Sequence, residues 1–209
     1  MVVVQEIFGL EANIRALSDR LAAMGYLAVA PDFYGGRHWT RCLRGAFAQL
    51  SEQRGPFFTA IDGARERLAG RPECNGRVGV IGFCLRGGFA LIAAAQHDFQ
   101  VAAVNYGEVP DDPASLLRCA CPVVASYGGR DRSMRGRAER LENGLQEAEV
   151  PHDVKSYPEA GHSFLSTTRY PAVTRPLAAL AGMSAGPNPA AASDAWQRID
   201  TLFVERPKR

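Results

Sequence analysis

A cysteine, an imidazole and two carboxylates in this chain have types and positions suited to opening an acyl bond. Cys84 lies in the run VGVIGFCLRGGFALIAAA, from Val78 to Ala95. That run reads as a buried strand (Val78, Val80, Ile81), a sharp glycine-containing turn, and a helix opening at about Leu85. A nucleophile on such a turn has its side chain exposed, and the first N–H groups of the helix point at the reacting atom. A thiol in the field of a helix N-terminus ionises more readily than a free one, whose pKa is about 8.5. The competing reading is a structural cysteine in an ordinary strand-to-helix turn.

A nucleophilic thiol needs a base, and the base needs an acceptor to orient it. The four histidines are His38, His97, His152 and His162, of which two follow the elbow helix. His162 ends the turn-rich loop Pro158-Glu159-Ala160-Gly161-His162, after the last strand. His152 opens a strand behind Pro151 and reads as a surface residue. Asp131 closes Gly128-Gly129-Arg130-Asp131, a loop after a buried strand, between nucleophile and histidine in the chain. Asp153 is the runner-up acid and is less well placed. Glu6 interrupts the apolar run from Val2 to Ile7 at its end, where open α/β sheets build their sites. The bland reading of Glu6 is a carboxylate exposed at a strand end.

These residues need a sheet to hold them. Val2 to Ile7 suits a strand buried on both faces. Ile14, Leu17, Leu21 and Met24 recur at helical spacing, and Gly25 ends that helix. Tyr26 to Ala30 reads as a second buried strand, stopped by Pro31-Asp32. Residues 33–56, with their glycines, arginines, His38 and Trp39, read as a loop and the natural place for a cap over a cleft. Ala60 to Leu68 reads as a helix, Val101 to Tyr106 and Val123 to Tyr127 as strands, Arg137 to Glu149 as a charged helix, and His152 to Tyr157 as a polar strand. Residues 171–192 are rich in Ala, Pro and Gly and read as a long loop. Ser193 or Asp194 is placed to cap a last helix, where Trp196, Ile199, Leu202 and Phe203 form one apolar stripe. Strands alternating with helices imply an α/β fold: a mostly parallel sheet with helices on both faces. A length of 209 residues fits one domain, 1–209.

Bulk composition excludes several classes. A hydrophobic fraction of 46% suffices for a real core, and a net charge of +2 with scattered arginines is no nucleic-acid footprint. No apolar run reaches the roughly 18–20 residues of a membrane span. The N-terminal MVVVQEIFG lacks the charged start and cleavage site of a signal peptide. Five cysteines show neither disulfide nor zinc spacing, which suits a reducing cytoplasm. No metal or organic cofactor is implied. The glycines Gly79, Gly82 and Gly87 do not give the dinucleotide-binding G-x-G-x-x-G pattern.

The chain resembles the dienelactone hydrolases (carboxymethylenebutenolidases), cysteine members of the α/β-hydrolase fold. The residues that carry the resemblance are Gln5-Glu6-Ile7-Phe8-Gly9, Pro31-Asp32, Gly82-Phe83-Cys84-Leu85, Gly128-Gly129-Arg130-Asp131, Ala160-Gly161-His162-Ser163-Phe164 and the terminal helix with Ala195-Trp196. It implies a triad of Cys84, Asp131 and His162, in the order nucleophile, acid, histidine. It also implies an oxyanion hole from the backbone N–H groups of Ile7 and Leu85. Glu6 is implied to contact the nucleophile, holding the resting thiol poorly reactive and taking its proton when substrate binds. The expected reaction is hydrolysis of a small ester or lactone through an acyl-thioester.

The sequence departs from the family pattern at three places. The chain begins almost at the Glu6 strand, where relatives carry two further strands. Either the start is misassigned, or the exposed sheet edge this implies is covered by another chain, for instance a second copy in a homodimer. Ser166 stands four residues after His162, where the family has an arginine that binds a substrate carboxylate. Arg86 stands two residues after Cys84, where the family has glycine. An unpaired arginine is costly to bury, so Arg86 is expected outside the packed interior. There it would either bind a substrate carboxylate from the cleft or distort the turn, with distortion favoured. The rival function is a catalytically weak relative that binds acyl compounds or a partner without turnover.

Overall fold

Five short runs pair side by side, all parallel: β1 (Val2–Val4), β2 (Gly79–Phe83), β3 (Val101–Asn105), β4 (Val123–Gly128) and β5 (His152–Tyr157), in the order β1-β2-β3-β4-β5. The computed structural model describes residues 1–167, 175–180 and 182–205. The helices are α1 (Ala12–Ala23), α2 (Trp39–Glu52), α3 (Pro56–Ala69), α4 (Leu85–Gln96), α5 (Pro113–Leu117), α6 (Arg137–Glu147), α7 (Arg175–Leu180) and α8 (Pro189–Glu205). Among the described residues no helix is long and apolar enough to cross a membrane.

The two faces of the sheet can be read from β2, because successive strand residues point to opposite sides. A Cβ on Gly82 would meet Ala90 of α4, whereas the Phe83 ring lies 6.5 Å from that of Trp196 in α8. Helix α4 therefore covers one face and α8 the other. From Leu85 to Ala94 every residue of α4 is buried, the mark of a helix enclosed by the fold on all sides. The strands β1 to β4 are buried throughout, and β5 alternates toward solvent.

Four sequence expectations are corrected. Tyr26 to Ala30 is not a buried strand. It makes a single parallel bridge, Val2 to Val29, held by Val3 N–H to Val29 O (2.8 Å) and Val29 N–H to Met1 O (3.0 Å). It flanks β1 at the sheet edge, where Leu27 is exposed. Within 33–56, residues Trp39–Glu52 are not a loop but α2. Its apolar residues Trp39, Cys42, Ala46 and Leu50 do recur at helical spacing, but only Ala46 is fully buried, so the stripe is thin. Within 171–192, α7 and the start of α8 replace loop, while 171–174 and 181 lie outside the described residues. Helix α8 starts at Pro189 rather than at Ser193 or Asp194. Asn188 accepts from the Ala191 N–H at 3.2 Å, and proline is suited to the first helical position.

Candidate active site

The parallel sheet brings the ends of β1, β2, β4 and β5 to one side, and each carries one expected residue. After β2, Cys84 adopts φ 58° and ψ −141°, a conformation that costs an L-residue energy and must be held by its surroundings. The holding contacts are Cys84 N–H to Asn105 O at 3.1 Å, Gly87 N–H to Cys84 O at 2.8 Å, and the Asn105 amide to Gly82 O at 3.2 Å. Two glycines make the turn tight enough. A Cβ on Gly82 would lie 2.3 Å from the Arg86 carbonyl oxygen, and one on Gly87 would lie 2.6 Å from Gly107 Cα.

Cys84 Sγ is 3.1 Å from His162 Nε2, and His162 Nδ1 is 2.5 Å from Asp131 Oδ2. His162 is fully buried, its ring centroid 5.0 Å from that of Tyr106. Burial alone would lower the imidazole pKa, but the Cys84 sulfur and the Asp131 carboxylate together push it up to about 10. The ring is placed to bond Asp131 through Nδ1 and the sulfur through Nε2. Burial would raise the pKa of Asp131, but hydrogen bonds from His162 and Ser133 hold it below the ordinary carboxylate range. Ser133 donates to Oδ1 from its backbone N–H (3.1 Å) and its hydroxyl (2.5 Å).

The loops bearing acid and base are tied by a segment the sequence reading left loose. Arg132 N–H donates to Gly182 O, Gly186 N–H to His162 O, and Asn188 N–H to Phe164 O, at 3.0, 3.0 and 3.1 Å. The runner-up residues are elsewhere. His152 bonds Val150 O at 2.7 Å at the opposite end of the sheet, and Asp153 pairs with Arg198 at 2.7 Å.

Glu6 is buried beyond β1. Its Oε2 accepts from Asn13 Nδ2 at 3.1 Å, and its Oε1 has no hydrogen-bond partner. Burial raises its pKa, opposed first by the Asn13 bond and then by the charge of nearby His162. In the resting structure the sulfur bonds His162 and the carboxyl bonds Asn13. Asn13 also donates to Ser166 Oγ at 3.1 Å and accepts from Thr167 N–H at 3.1 Å. Ser166 thus joins the network that holds Glu6. Sequence spacing offered no signal for Asn13, which sits in the first turn of an amphipathic helix.

The backbone beside Glu6 is held tightly as well. Gly9, at φ +96°, turns back so that its N–H donates to Glu6 O at 3.1 Å. Tyr34 Oη donates to Ile7 O at 2.7 Å. The loop carrying Tyr34 is wound on Asp32, whose carboxylate accepts from the N–H groups of Tyr34, Gly35 and Gly36 at 2.8, 3.1 and 3.2 Å. Leu85 N–H opens α4 and therefore has no acceptor within the helix.

Arg86 overturns the sequence expectation. It is wholly buried and does not face a cleft. Its guanidinium carbon lies 5.0, 5.5, 4.5 and 4.9 Å from the ring centroids of Phe33, Tyr34, Phe57 and Phe89. Nη2 donates to Tyr34 Oη at 3.0 Å, while Nε and Nη1 have no hydrogen-bond partner. The desolvation cost of several kcal/mol is offset by four cation–π contacts of roughly 0.5–2 kcal/mol each. The side chain leaves the elbow sideways, so the turn closes with arginine in place.

Comparisons with known proteins bear on the family and the fold. The model of the dienelactone hydrolase family matches residues 1–206. A carboxymethylenebutenolidase of Rhodococcus opacus is 32% identical over 214 residues, covering 97% of this chain and 79% of the relative. The crystal structure of dienelactone hydrolase from Anabaena variabilis superposes with a TM-score of 0.68 at 18% identity, covering 99% of this chain and 87% of that one. A thermophilic esterase from Thermogutta terrifontis gives 0.63 at 14%, covering 100% and 84%. The two structural likenesses show the fold, that of α/β-hydrolases.

Proposed function

This chain belongs to the dienelactone hydrolase family of enzymes that act on ester and lactone bonds, and we propose that it cleaves a small ester or lactone through Cys84, His162 and Asp131. The observation that carries the proposal is the buried line of contacts from sulfur to imidazole to carboxylate, 3.1 and 2.5 Å long. The Cys84 sulfur attacks the carbonyl carbon while His162 holds the proton. Negative charge gathers on the carbonyl oxygen, where the N–H groups of Ile7 and Leu85 are assigned as donors. A donor of this kind is worth about 3–4 kcal/mol of barrier. His162 Nε2 then protonates the leaving alkoxide, and the acyl group stays on sulfur as a thioester. Water, deprotonated by His162, releases the acid; a lactone gives a hydroxy acid. Asp131 keeps the ring oriented and balances its positive charge.

Glu6 is assigned the role of a buried carboxyl that adjusts the charge felt by His162. With its pKa raised by burial it is neutral more readily than an exposed glutamate, which leaves the imidazolium paired with Asp131 and sulfur. Loss of its proton would add a further negative neighbour and strengthen His162 as a base.

The test is a pre-steady-state burst with p-nitrophenyl acetate, quenched for intact mass and peptide mapping. The expected result is a burst with one acetyl group on Cys84, no burst in Cys84→Ala, and loss of turnover in His162→Ala with His152→Ala near the parent. Acetyl on another residue, or equal losses from the two histidine changes, would refute the assignment.

A further inference from the structure

Resting on that acyl-transfer reading, we propose that Arg86 and Tyr34 form a positioning relay that sets the spacing of the two oxyanion donors. The relay is a line of three groups. Arg86 Nη2 donates to Tyr34 Oη at 3.0 Å, and Tyr34 Oη donates to Ile7 O at 2.7 Å. One end is the residue next to Leu85, on the first turn of α4. The other end is the backbone of Ile7. The relay therefore joins the two chain segments that carry the assigned N–H groups, across 52 residues of sequence between Tyr34 and Arg86.

The geometry of the peptide unit makes this hold effective. The Glu6 carbonyl and the Ile7 N–H belong to one planar trans peptide and point in opposite directions. The Gly9 N–H bond to Glu6 O, 3.1 Å long, fixes that plane and so aims the Ile7 N–H. The Tyr34 hydroxyl fixes the next peptide plane through Ile7 O. With both flanking planes held, Ile7 has little freedom to swing its N–H as charge develops. The bond from a cationic donor polarises the phenol and strengthens its onward bond to Ile7. The four rings around the guanidinium fix its position, and its fully buried setting excludes water that would compete for Tyr34. Arg86 and Tyr34 are positioning residues, since they act through backbone and touch no reacting atom.

The test compares the parent with Tyr34→Phe, Arg86→Met and the double variant. Tyr34→Phe removes one oxygen and keeps the ring in the cage, so it decides the matter even if Arg86→Met does not fold. Three measurements are made: kcat and KM on p-nitrophenyl acetate, the inhibition constant of a small trifluoromethyl ketone, and the alkylation rate of Cys84 by iodoacetamide. The ketone adduct on sulfur bears an oxyanion; alkylation at a saturated carbon does not. Tyr34→Phe is expected to lower kcat about tenfold, the size of one lost hydrogen bond, with KM little changed. Ketone affinity should fall by the same factor, alkylation should stay at the parent rate, and the double variant should be no worse than the poorer single one. Parent-level kcat in Tyr34→Phe, losses that multiply in the double variant, or alkylation falling in step with kcat would each overturn the relay. Cys84→Ala separates the two levels of failure. If Cys84→Ala turns over the ester at the parent rate, the acyl-transfer reading falls and the relay with it. If Cys84→Ala is inactive and Tyr34→Phe is not impaired, the relay alone falls.

Discussion

Gly82→Ala puts the smallest carbon side chain where the elbow has no room. The added Cβ would stand 2.3 Å from Arg86 O, 2.8 Å from Ala90 Cβ and 2.9 Å from Arg86 C, while ordinary contact begins at 3.4 Å. Relief at the carbonyl alone needs a shift of about 1 Å. The carbonyl belongs to the first turn of α4 and the Ala90 methyl to the second, so the helix must move as a body. That motion carries Leu85 N–H and the Cys84 turn with it. A misplacement of about 1 Å can cost on the order of 10²-fold in rate. Overpacking of this kind also costs about 1–3 kcal/mol of stability. The assay is kcat on p-nitrophenyl acetate beside urea unfolding. Gly63→Ala serves as the control, because nothing lies within 4 Å of its new methyl in α3. That change should stabilise by about 1 kcal/mol through helix propensity and leave kcat alone. A folded Gly82→Ala protein with kcat within threefold of the parent would refute the claim that backbone crowding at Gly82 sets the nucleophile's position.

Two further outcomes are expected. His162 binds its proton more tightly in the fold, with a pKa of about 10 against 6.5 when free, so the native state holds more protons between these values. The stability this contributes is complete below about pH 6.5 and is lost as pH rises toward 10. Thermal midpoints across that range should fall more steeply in the parent than in His162→Gln, and parallel curves would contradict the linkage. Asn188→Ala removes the side chain that caps α8, and should cost about 1 kcal/mol by urea unfolding; a change below a few tenths would show that the cap is idle.

Much of the fold was legible because its signals are local. The run from Val78 to Ala95 carries strand, turn and helix in consecutive residues, and the structure places β2, the elbow and α4 there. Cys84, Asp131 and His162 could be grouped because each ends a strand of a parallel sheet, and such a sheet gathers those ends on one side. Asn13 could not. Asn13 reaches Ser166 across 153 residues, a contact set by the docking of α1. Ser133 was open to local reasoning, since an aspartate two residues before a serine can accept its N–H. The missed α2 and the early start of α8 have different causes. In α2 the apolar stripe is thin, whereas at α8 the Asn188-Pro189 pair is a start signal outweighed by the preceding glycines and proline, Gly182, Gly186 and Pro187.

Arg86 shows where a sound rule was applied too narrowly. Burying an unpaired cation is costly, and no carboxylate in the sequence was placed to pair with it. The rule concerns uncompensated charge, and a carboxylate is only one means of compensation. Guanidinium is weakly hydrated and planar, so it loses less on leaving water than an ammonium and can stack on aromatic faces. Phe89 lies three residues along the same helix, which places it on the same face as Arg86. Phe57 opens α3, and Phe33 and Tyr34 follow the Pro31-Asp32 turn, so three further rings come from segments that pack against α4. The phenol adds what the phenylalanines lack, an oxygen that accepts from the guanidinium and donates onward to Ile7. A residue judged by its own position as a disturbance of the elbow thus becomes, in its surroundings, the link between the elbow and the end of β1.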